Sequence, residues 1–272
     1  MKKFLLPQMA GHDYLYVDVH AHLDDESFDE DREEVIERAR DIFILNAGQE
    51  MRSNRASLEI ARKYKNVGAC LGFHPEFILK FKSEEIEEEM RFIRRIVEEE
   101  SSLIFGVSEI GLDFKVARRE IEREKQIEFF EKFLRLAEEL RLPVVVHSRF
   151  APSKVVEVLK DFNGKVVLHS FPGNEKEIRE AIDYNFYFSI APNICRSKQK
   201  QLLAKLAPVE LILTETDSPV LGPTPSERNE PSNIHIVLRE VSRIKQIGEE
   251  ELRKVVLKNF EKVFLEGTSK DF

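Results

Sequence analysis

Two histidines one residue apart end the first apolar run of the chain, in the segment YVDVHAHL from Tyr16 to Leu23. Residues i and i+2 of a strand point to the same face, so His20 and His22 would direct two imidazoles to one place. Asp18 shares that face and is expected to orient the imidazoles from beneath. Such a pair binds a divalent ion if further ligands arrive from elsewhere in the chain. The alternative is a hydrogen-bonded histidine pair without an ion.

Further candidate ligands stand at the ends of later apolar runs. They are three histidines and two carboxylates: His74, Glu109, His147, His169 and Asp217. With the first pair, five of the seven histidines of the chain occupy this one type of position. Three or four imidazoles combined with two carboxylates suit a site for two divalent ions, which can share a bridging carboxylate and a bridging water.

The order of the runs predicts how these ligands are divided between the ions. His20, His22 and Asp217 would hold one ion, and His147 and His169 would hold the other. Mixed imidazole and carboxylate ligands accept Mg²⁺, Mn²⁺ or Zn²⁺.

Two carboxylates are the predicted catalytic residues. Glu109 would reach both ions as the bridge, and Asp217 would orient the attacking water and accept its proton. Glu215 lies two residues before Asp217 and shares its face. A third ion therefore stays open as an alternative, with Glu215 as its candidate ligand.

The elements that must position these residues are short, nearly continuous apolar runs that alternate with charged, amphipathic stretches. The runs are Leu15–His20, Ile42–Ala47, Val67–Phe73, Leu103–Glu109, Pro143–His147, Val166–His169, Phe186–Ile190 and Glu210–Thr216. Such runs are typical of parallel strands that are buried on both faces. The stretches between them place apolar residues at a spacing of three to four, which indicates helices.

Eight strand-then-helix units predict a single (β/α)8 TIM barrel domain over residues 1–272, with the active site at the C-terminal ends of the strands. An open doubly wound sheet is the alternative. Such a sheet usually carries a glycine-rich phosphate turn after its first strand, whereas this chain has His-Ala-His-Leu-Asp-Asp there.

Charge and composition limit the classes of function. The net charge of −8 disfavours wrapping of nucleic acid along a basic surface, but it permits one strand end to enter a metal-lined cleft. The two cysteines, Cys70 and Cys195, form no C-x-x-C pair, which argues against a thiolate zinc site. No apolar run approaches the roughly 20 residues that span a bilayer. A cytoplasmic protein without a membrane partner is predicted.

Seven segments in order carry a resemblance to a known family. They are DVHAHL (18–23), GFHPE (72–76), SEIGLDF (108–114), PVVVHSR (143–149), LHSFPG (168–173), TETDSP (214–219) and RNEP (228–231). The chain resembles the TatD-like deoxyribonucleases, which belong to the metal-dependent amidohydrolase superfamily. The resemblance implies a TIM barrel, two or three divalent ions, and hydrolysis of nucleic acid phosphodiesters, often from the 3′ end of single-stranded DNA. It also implies six metal ligands, which are His20, His22, Glu109, His147, His169 and Asp217.

The chain departs from the family pattern on the substrate side. The family often has Cys-Phe-Thr-Gly where SFPG stands at 170–173, and Gly-Lys where this chain has PSE at 225–227. Candidate substrate contacts are His74, Asn193 and Arg228. For Arg228, a salt bridge that pins the proline-rich loop is an equal alternative.

The function predicted from the sequence is a divalent-metal-dependent nuclease, a 3′-5′ exonuclease on single-stranded DNA ends that uses a water bridging two ions. A metal-dependent ester or amide hydrolase, such as a D-aminoacyl-tRNA deacylase, is the first alternative. A metal-stabilised scaffold that binds nucleic acid ends or a partner protein without turnover is the second.

Overall fold

The computed structural model describes residues 14–266. It contains an eight-stranded parallel sheet in which strands adjacent in sequence are also neighbours in space, which is the predicted (β/α)8 barrel. The strands are β1 (Tyr16–Ala21), β2 (Ile42–Ala47), β3 (Val67–Leu71), β4 (Ile104–Gly111), β5 (Val144–His147), β6 (Val166–His169), β7 (Tyr187–Ile190) and β8 (Ile212–Thr214).

Helices cover the outside of the barrel and follow the strands along the chain. They are α1 (Arg32–Arg38), α2 (Met51–Lys63), α3 (Pro75–Ile78), α4 (Ser83–Glu99), α5 (Glu120–Leu140), α6 (Pro152–Leu159), α7 (Glu175–Asp183), α8 (Lys198–Leu206), α9 (Ile234–Lys245) and α10 (Glu249–Phe260). Among the described residues, no helix combines the length and apolar content that a bilayer crossing requires.

The strands are nearly continuous apolar runs because they are buried on both faces. Every residue of β2, β3 and β4 is buried, although these strands include glycine and polar positions. The long helix α5 presents Phe129, Phe130 and Phe133 to the same core. A barrel buried on both sides keeps its strand ends in fixed positions, which a site built on those ends requires.

Some strand limits differ from the predicted ones. The eighth run was expected to extend over Glu210–Thr216, but β8 ends at Thr214 and a 3-10 turn, Val209–Leu211, precedes it. Asp217 has a φ of +53°, a left-handed conformation that no strand residue adopts. Asp217 therefore lies in the loop after β8. Strand β4 also extends beyond its predicted end at Glu109, to Gly111.

Side chains help to close the barrel between β8 and β1. Thr214 Oγ1 donates to the carbonyl of Val17 at 2.6 Å. The carboxylate of Asp18 accepts the N–H of Thr216 at 2.8 Å, the hydroxyl of Thr216 at 2.5 Å and the N–H of His20 at 3.2 Å. The expectation that Asp18 orients an imidazole is wrong, because its donors are two main-chain N–H groups and a hydroxyl, and neither ring nitrogen of His20 has a hydrogen-bond partner. Asp18 instead fixes the backbone on both sides of the closure.

Glycine is required where β4 ends against β5. Gly111 has a φ of +133°, and a Cβ built on it would lie 2.1 Å from the carbonyl oxygen of His147. That same oxygen accepts the N–H of Leu112 at 3.0 Å. The absence of a side chain at Gly111 therefore allows β4 to approach the strand end that carries His147.

We expect Gly111→Ala to lower the free energy of unfolding by about 3 kcal/mol, because the new Cβ meets backbone in a conformation that only glycine adopts readily. Urea denaturation measures the change. Gly248→Ala is the matched control, since a Cβ at Gly248 meets nothing within 4 Å, and it should cost about 1 kcal/mol or less. Equal stability of the two variants would contradict the packing argument.

Candidate active site

The predicted residues meet in a cleft at the C-terminal ends of the strands. The cleft has a volume of about 620 Å³, and His22, His74, Glu109, His147, His169 and Asp217 line it. His20 is fully buried beside them. The structure therefore brings together the residues that sequence analysis assigned to two ions.

Glu109 is the centre of this cluster, since five imidazoles have a ring nitrogen within 4 Å of its carboxylate oxygens. The distances are 2.7 Å to His147 Nδ1, 3.6 Å to His20 Nε2, 3.7 Å to His22 Nε2, 3.7 Å to His74 Nε2 and 3.9 Å to His169 Nε2. A carboxylate in this position lies beside imidazoles assigned to both ions, as a bridging ligand must.

Asp217 faces the same imidazoles from the loop after β8. Its Oδ1 lies 3.4 Å from His22 Nε2 and 3.8 Å from His20 Nε2, and its Oδ2 lies 3.8 Å from His169 Nε2. Its own N–H donates to the carbonyl of His20 at 2.8 Å. The left-handed backbone of a non-glycine residue is costly, and this hydrogen bond helps to hold it where the carboxylate enters the cluster.

Hydrogen bonds at the far ring nitrogens orient two of the imidazoles. His22 Nδ1 donates to the carbonyl of Ala47 at 2.9 Å, and His169 Nδ1 donates to Glu215 Oε2 at 2.8 Å. Both rings are thereby held with Nε2 toward the cluster.

Glu215 is an orienting group in this structure. Besides His169, it accepts the hydroxyl of Ser189 at 2.5 Å and the N–H of Ser170 at 3.0 Å. Both carboxylate oxygens therefore accept hydrogen bonds from the protein, and the residue is fully buried behind His169. These contacts do not favour Glu215 as the ligand of a third ion.

His74 and Asp113 flank His147 on the other side of the cleft. His74 Nδ1 accepts the N–H of Glu76 at 3.1 Å at the start of α3, which leaves Nε2 toward Glu109. Asp113 Oδ2 lies 3.4 Å from His147 Nε2 and accepts two N–H groups of Arg149, at 2.5 and 2.8 Å. Asp113 is therefore a charged neighbour of His147, whose Nε2 is buried without a hydrogen-bond partner.

The donor atoms fit divalent ions. Two groups have ligand atoms within 4.8 Å of one another and share Glu109: one with His20 and His22, the other with His147 and His169. A further group joins Asp217 to His20 and His169. Both ring nitrogens of His20 are buried without a hydrogen-bond partner, which is costly for a polar group unless a ligand satisfies it.

The charges of the cluster attract protons when no ion neutralises them. Burial opposes protonation of His22 and His169, but the nearby carboxylates outweigh it and raise their pKa values to about 9 and about 10. Burial raises the pKa of the Glu109 carboxyl, but the surrounding imidazoles outweigh burial and hold that pKa well below its usual range. By contrast, burial lowers the pKa of His74 to about 4.

The structure places two of the three predicted substrate contacts in the cleft. His74 and Asn193 line the cleft, and Asn193 Oδ1 is buried without a hydrogen-bond partner. Arg228 is absent from the lining; its guanidinium donates to both carboxylate oxygens of Asp31, at 2.7 and 2.5 Å, and to the carbonyl of Ser27 at 2.5 Å. These contacts correspond to the alternative in which Arg228 pins the proline-rich loop.

Sequence reasoning missed several polar residues of the cleft, among them Gln49 and Lys200. Gln49 Nε2 lies 3.5 Å from His22 Nε2 and from Glu109 Oε2; its place just after the second strand was the available signal. Lys200 also lines the cleft, but it lies in the helix α8 and not at a strand end, so its position in the sequence carried no signal.

The barrel and its imidazole–carboxylate cluster define the chain as a metal-dependent hydrolase. The sequence model of the TatD related DNase family matches residues 17–265. The chain belongs to this family.

Relatives along nearly the whole chain agree with this assignment. A metal-dependent hydrolase of Methanocaldococcus jannaschii is 34% identical, covering 93% of this chain and 98% of its own. The human deoxyribonuclease TATDN3 is 33% identical, covering 91% and 94%. The 3′-5′ ssDNA/RNA exonuclease TatD of Erwinia amylovora is 30% identical, covering 86% and 94%.

A solved structure supports the fold. The crystal structure of a TatD family hydrolase from Entamoeba histolytica superposes with a TM-score of 0.83 at 22% identity, covering 93% of this chain and 99% of that one. At this identity the likeness concerns the barrel itself.

Metal binding should release protons. The pKa values of His22 and His169 are about 9 and about 10, so at pH 7.5 both rings are imidazolium ions. An ion must displace the second proton of each ring before the ring can bind it. We expect at least about two protons released per fully loaded site, since the carboxylates also raise the pKa of His147 against the effect of burial, and an affinity that rises with pH until these groups have titrated. Titration calorimetry with Mn²⁺ in two buffers of different ionisation enthalpy counts the protons.

Two variants test the assignment of these protons. His169→Asn should reduce the number released, whereas His74→Ala should leave it unchanged because burial already keeps His74 neutral at this pH. Metal binding without proton release by the unmodified chain would show that the imidazoles are neutral beforehand.

Proposed function

We propose that the chain hydrolyses phosphodiester bonds of DNA with two divalent ions and removes nucleotides from the 3′ end of a single strand. The observation that carries this proposal is the pair of ligand groups that share Glu109 at the mouth of the barrel. Two ions that share a carboxylate suit the in-line displacement at phosphorus.

Relatives and charge support this choice of substrate. The human relative is named a deoxyribonuclease, and the relative from Erwinia amylovora is named a 3′-5′ ssDNA/RNA exonuclease. A net charge of −8 is unsuited to binding a long backbone through basic surface. A strand end that enters a cleft of about 620 Å³ needs few such contacts.

The residues divide the work as the strand order suggested. His20, His22 and Asp217 would hold one ion, His147 and His169 the other, with Glu109 contributing to both. When bound, the ions would lower the pKa of a water molecule and stabilise the negative charge that develops on the phosphate oxygens.

Asp217 would manage the proton of the attacking water. Burial raises the pKa of its carboxyl, but His169, His22 and His20 outweigh burial and lower it. The group is therefore ionised at neutral pH and can accept a hydrogen bond from water. The hydrogen bond from its N–H to His20 fixes its backbone, so the carboxylate needs little reorganisation.

The direct test is a gel assay with single-stranded DNA labelled at the 3′ or the 5′ end, run separately with Mg²⁺, Mn²⁺ and Zn²⁺. We expect the 5′-labelled strand to shorten stepwise and the 3′ label to leave as a mononucleotide. His147→Ala and EDTA should abolish both signals, whereas His235→Ala, an exposed histidine outside the cleft, should not. No cleavage with any ion would point to ester or amide substrates, including D-aminoacyl-tRNA.

The role of Asp217 is tested by Asp217→Asn, which keeps the shape of the side chain and removes its charge. We expect kcat to fall by about 10²–10⁴-fold, the usual contribution of a general base, with an unchanged circular dichroism spectrum. Asp25→Asn, at the rim of the same cleft, is the matched control. A nearly full rate in the Asp217 variant would exclude the assigned role.

A further inference from the structure

A buried lysine forms part of the wall of the cleft. Lys200 lies on α8 and is 6% exposed. Its ammonium group donates to the carbonyl of Ser170 at 2.5 Å and to the carbonyl of Phe171 at 2.9 Å. These carbonyls belong to the segment directly after His169, so the ammonium group is held beside the metal-binding cluster.

Lys200 is the cleft cation without an acidic partner. Apart from histidines, the residues that line the cleft include two basic side chains, Arg149 and Lys200. Arg149 donates twice to the buried carboxylate of Asp113. Within residues 14–266, the ion pairs of 4 Å or less include none formed by Lys200. Carbonyl oxygens accept hydrogen bonds from the ammonium group but carry no net charge, and the carboxylates of Glu215 and Asp217 act on it only from beyond 4 Å.

Holding the two carbonyls does not require this charge. A neutral amide could donate to a carbonyl without the desolvation cost of a buried cation. Burial lowers the pKa of Lys200 to about 8, so the side chain remains mostly charged at neutral pH. An ammonium group has three donors, and the two carbonyls use two of them. The remaining N–H and a positive charge that no carboxylate contacts within 4 Å suit an anion in the cleft.

We propose that Lys200 binds a phosphate oxygen of the substrate and thereby favours phosphodiesters over neutral esters. This inference rests on the proposed nuclease function and adds the residue that recognises the charge of the substrate. The contact would be a charge-assisted hydrogen bond, the stronger kind between a cation and a phosphate.

Three variants separate the charge of Lys200 from its structural hydrogen bonds. Lys200→Gln keeps an N–H donor and loses the charge, Lys200→Met loses both, and Lys200→Arg keeps both. With bis(p-nitrophenyl) phosphate and Mn²⁺, we expect kcat/KM to fall about 10- to 100-fold in the Gln and Met variants and to be largely kept in the Arg variant. Lys198→Met, exposed on the same helix, should match the unmodified chain.

Binding gives a readout that does not depend on turnover. The probe is a fluorescent phosphorothioate hexathymidylate, which resists cleavage and keeps its charges, in Mg²⁺ at several salt concentrations. Loss of one phosphate contact should reduce the slope of log affinity against log salt by about 0.7 for a single strand. We expect this reduction in the Gln and Met variants and not in the Arg variant or the Lys198 control.

The outcomes separate the two proposals. If the unmodified chain cleaves phosphodiesters but Lys200→Gln keeps its rate and its salt slope, Lys200 serves only the two carbonyls and the inference is overturned. The same holds if affinity falls without a change of slope. If the unmodified chain neither binds the probe nor cleaves any phosphodiester, the nuclease function itself fails, and this inference fails with it.

Discussion

One buried carboxylate surrounded by five imidazoles is the constraint on which the rest of this site depends. Glu109 is almost fully buried, and each of the rings has a nitrogen within 4 Å of it. The protonation of each of these groups depends on the protonation of its neighbours, because they lie so close together. The negative charge of the cluster must be neutralised by protons or by metal cations. Metal binding and protonation of the imidazoles are therefore coupled.

The barrel meets this constraint by fixing ring orientations through groups outside the cluster. A main-chain carbonyl holds His22, and Glu215 holds His169. Each imidazole would otherwise be free to turn away from its neighbours. Because these supports come from strands or strand-end segments, the geometry is set by the folded barrel before any ligand enters.

Much of the site could be predicted because its chemistry coincides with the periodicity of the fold. A histidine or glutamate at the end of an apolar run must lie at the barrel mouth, and this placed Glu109, His147 and His169 correctly. The limits of β8 could not be predicted, because the left-handed backbone of Asp217 depends on its contact with β1. The same holds for Arg228, whose partner lies 197 residues away in sequence.

The contacts between β8 and β1 connect the metal site to the closure of the barrel. His20 lies on one side of this closure and Asp217 on the other, and between β8 and β1 part of the cohesion comes from the Asp18 carboxylate and threonine hydroxyls rather than from a backbone ladder. Local opening of the barrel at this closure would have to break these buried contacts. An ion bound by both His20 and Asp217 would link the two sides of the closure. The stability of the barrel and the occupancy of the active site would then be coupled.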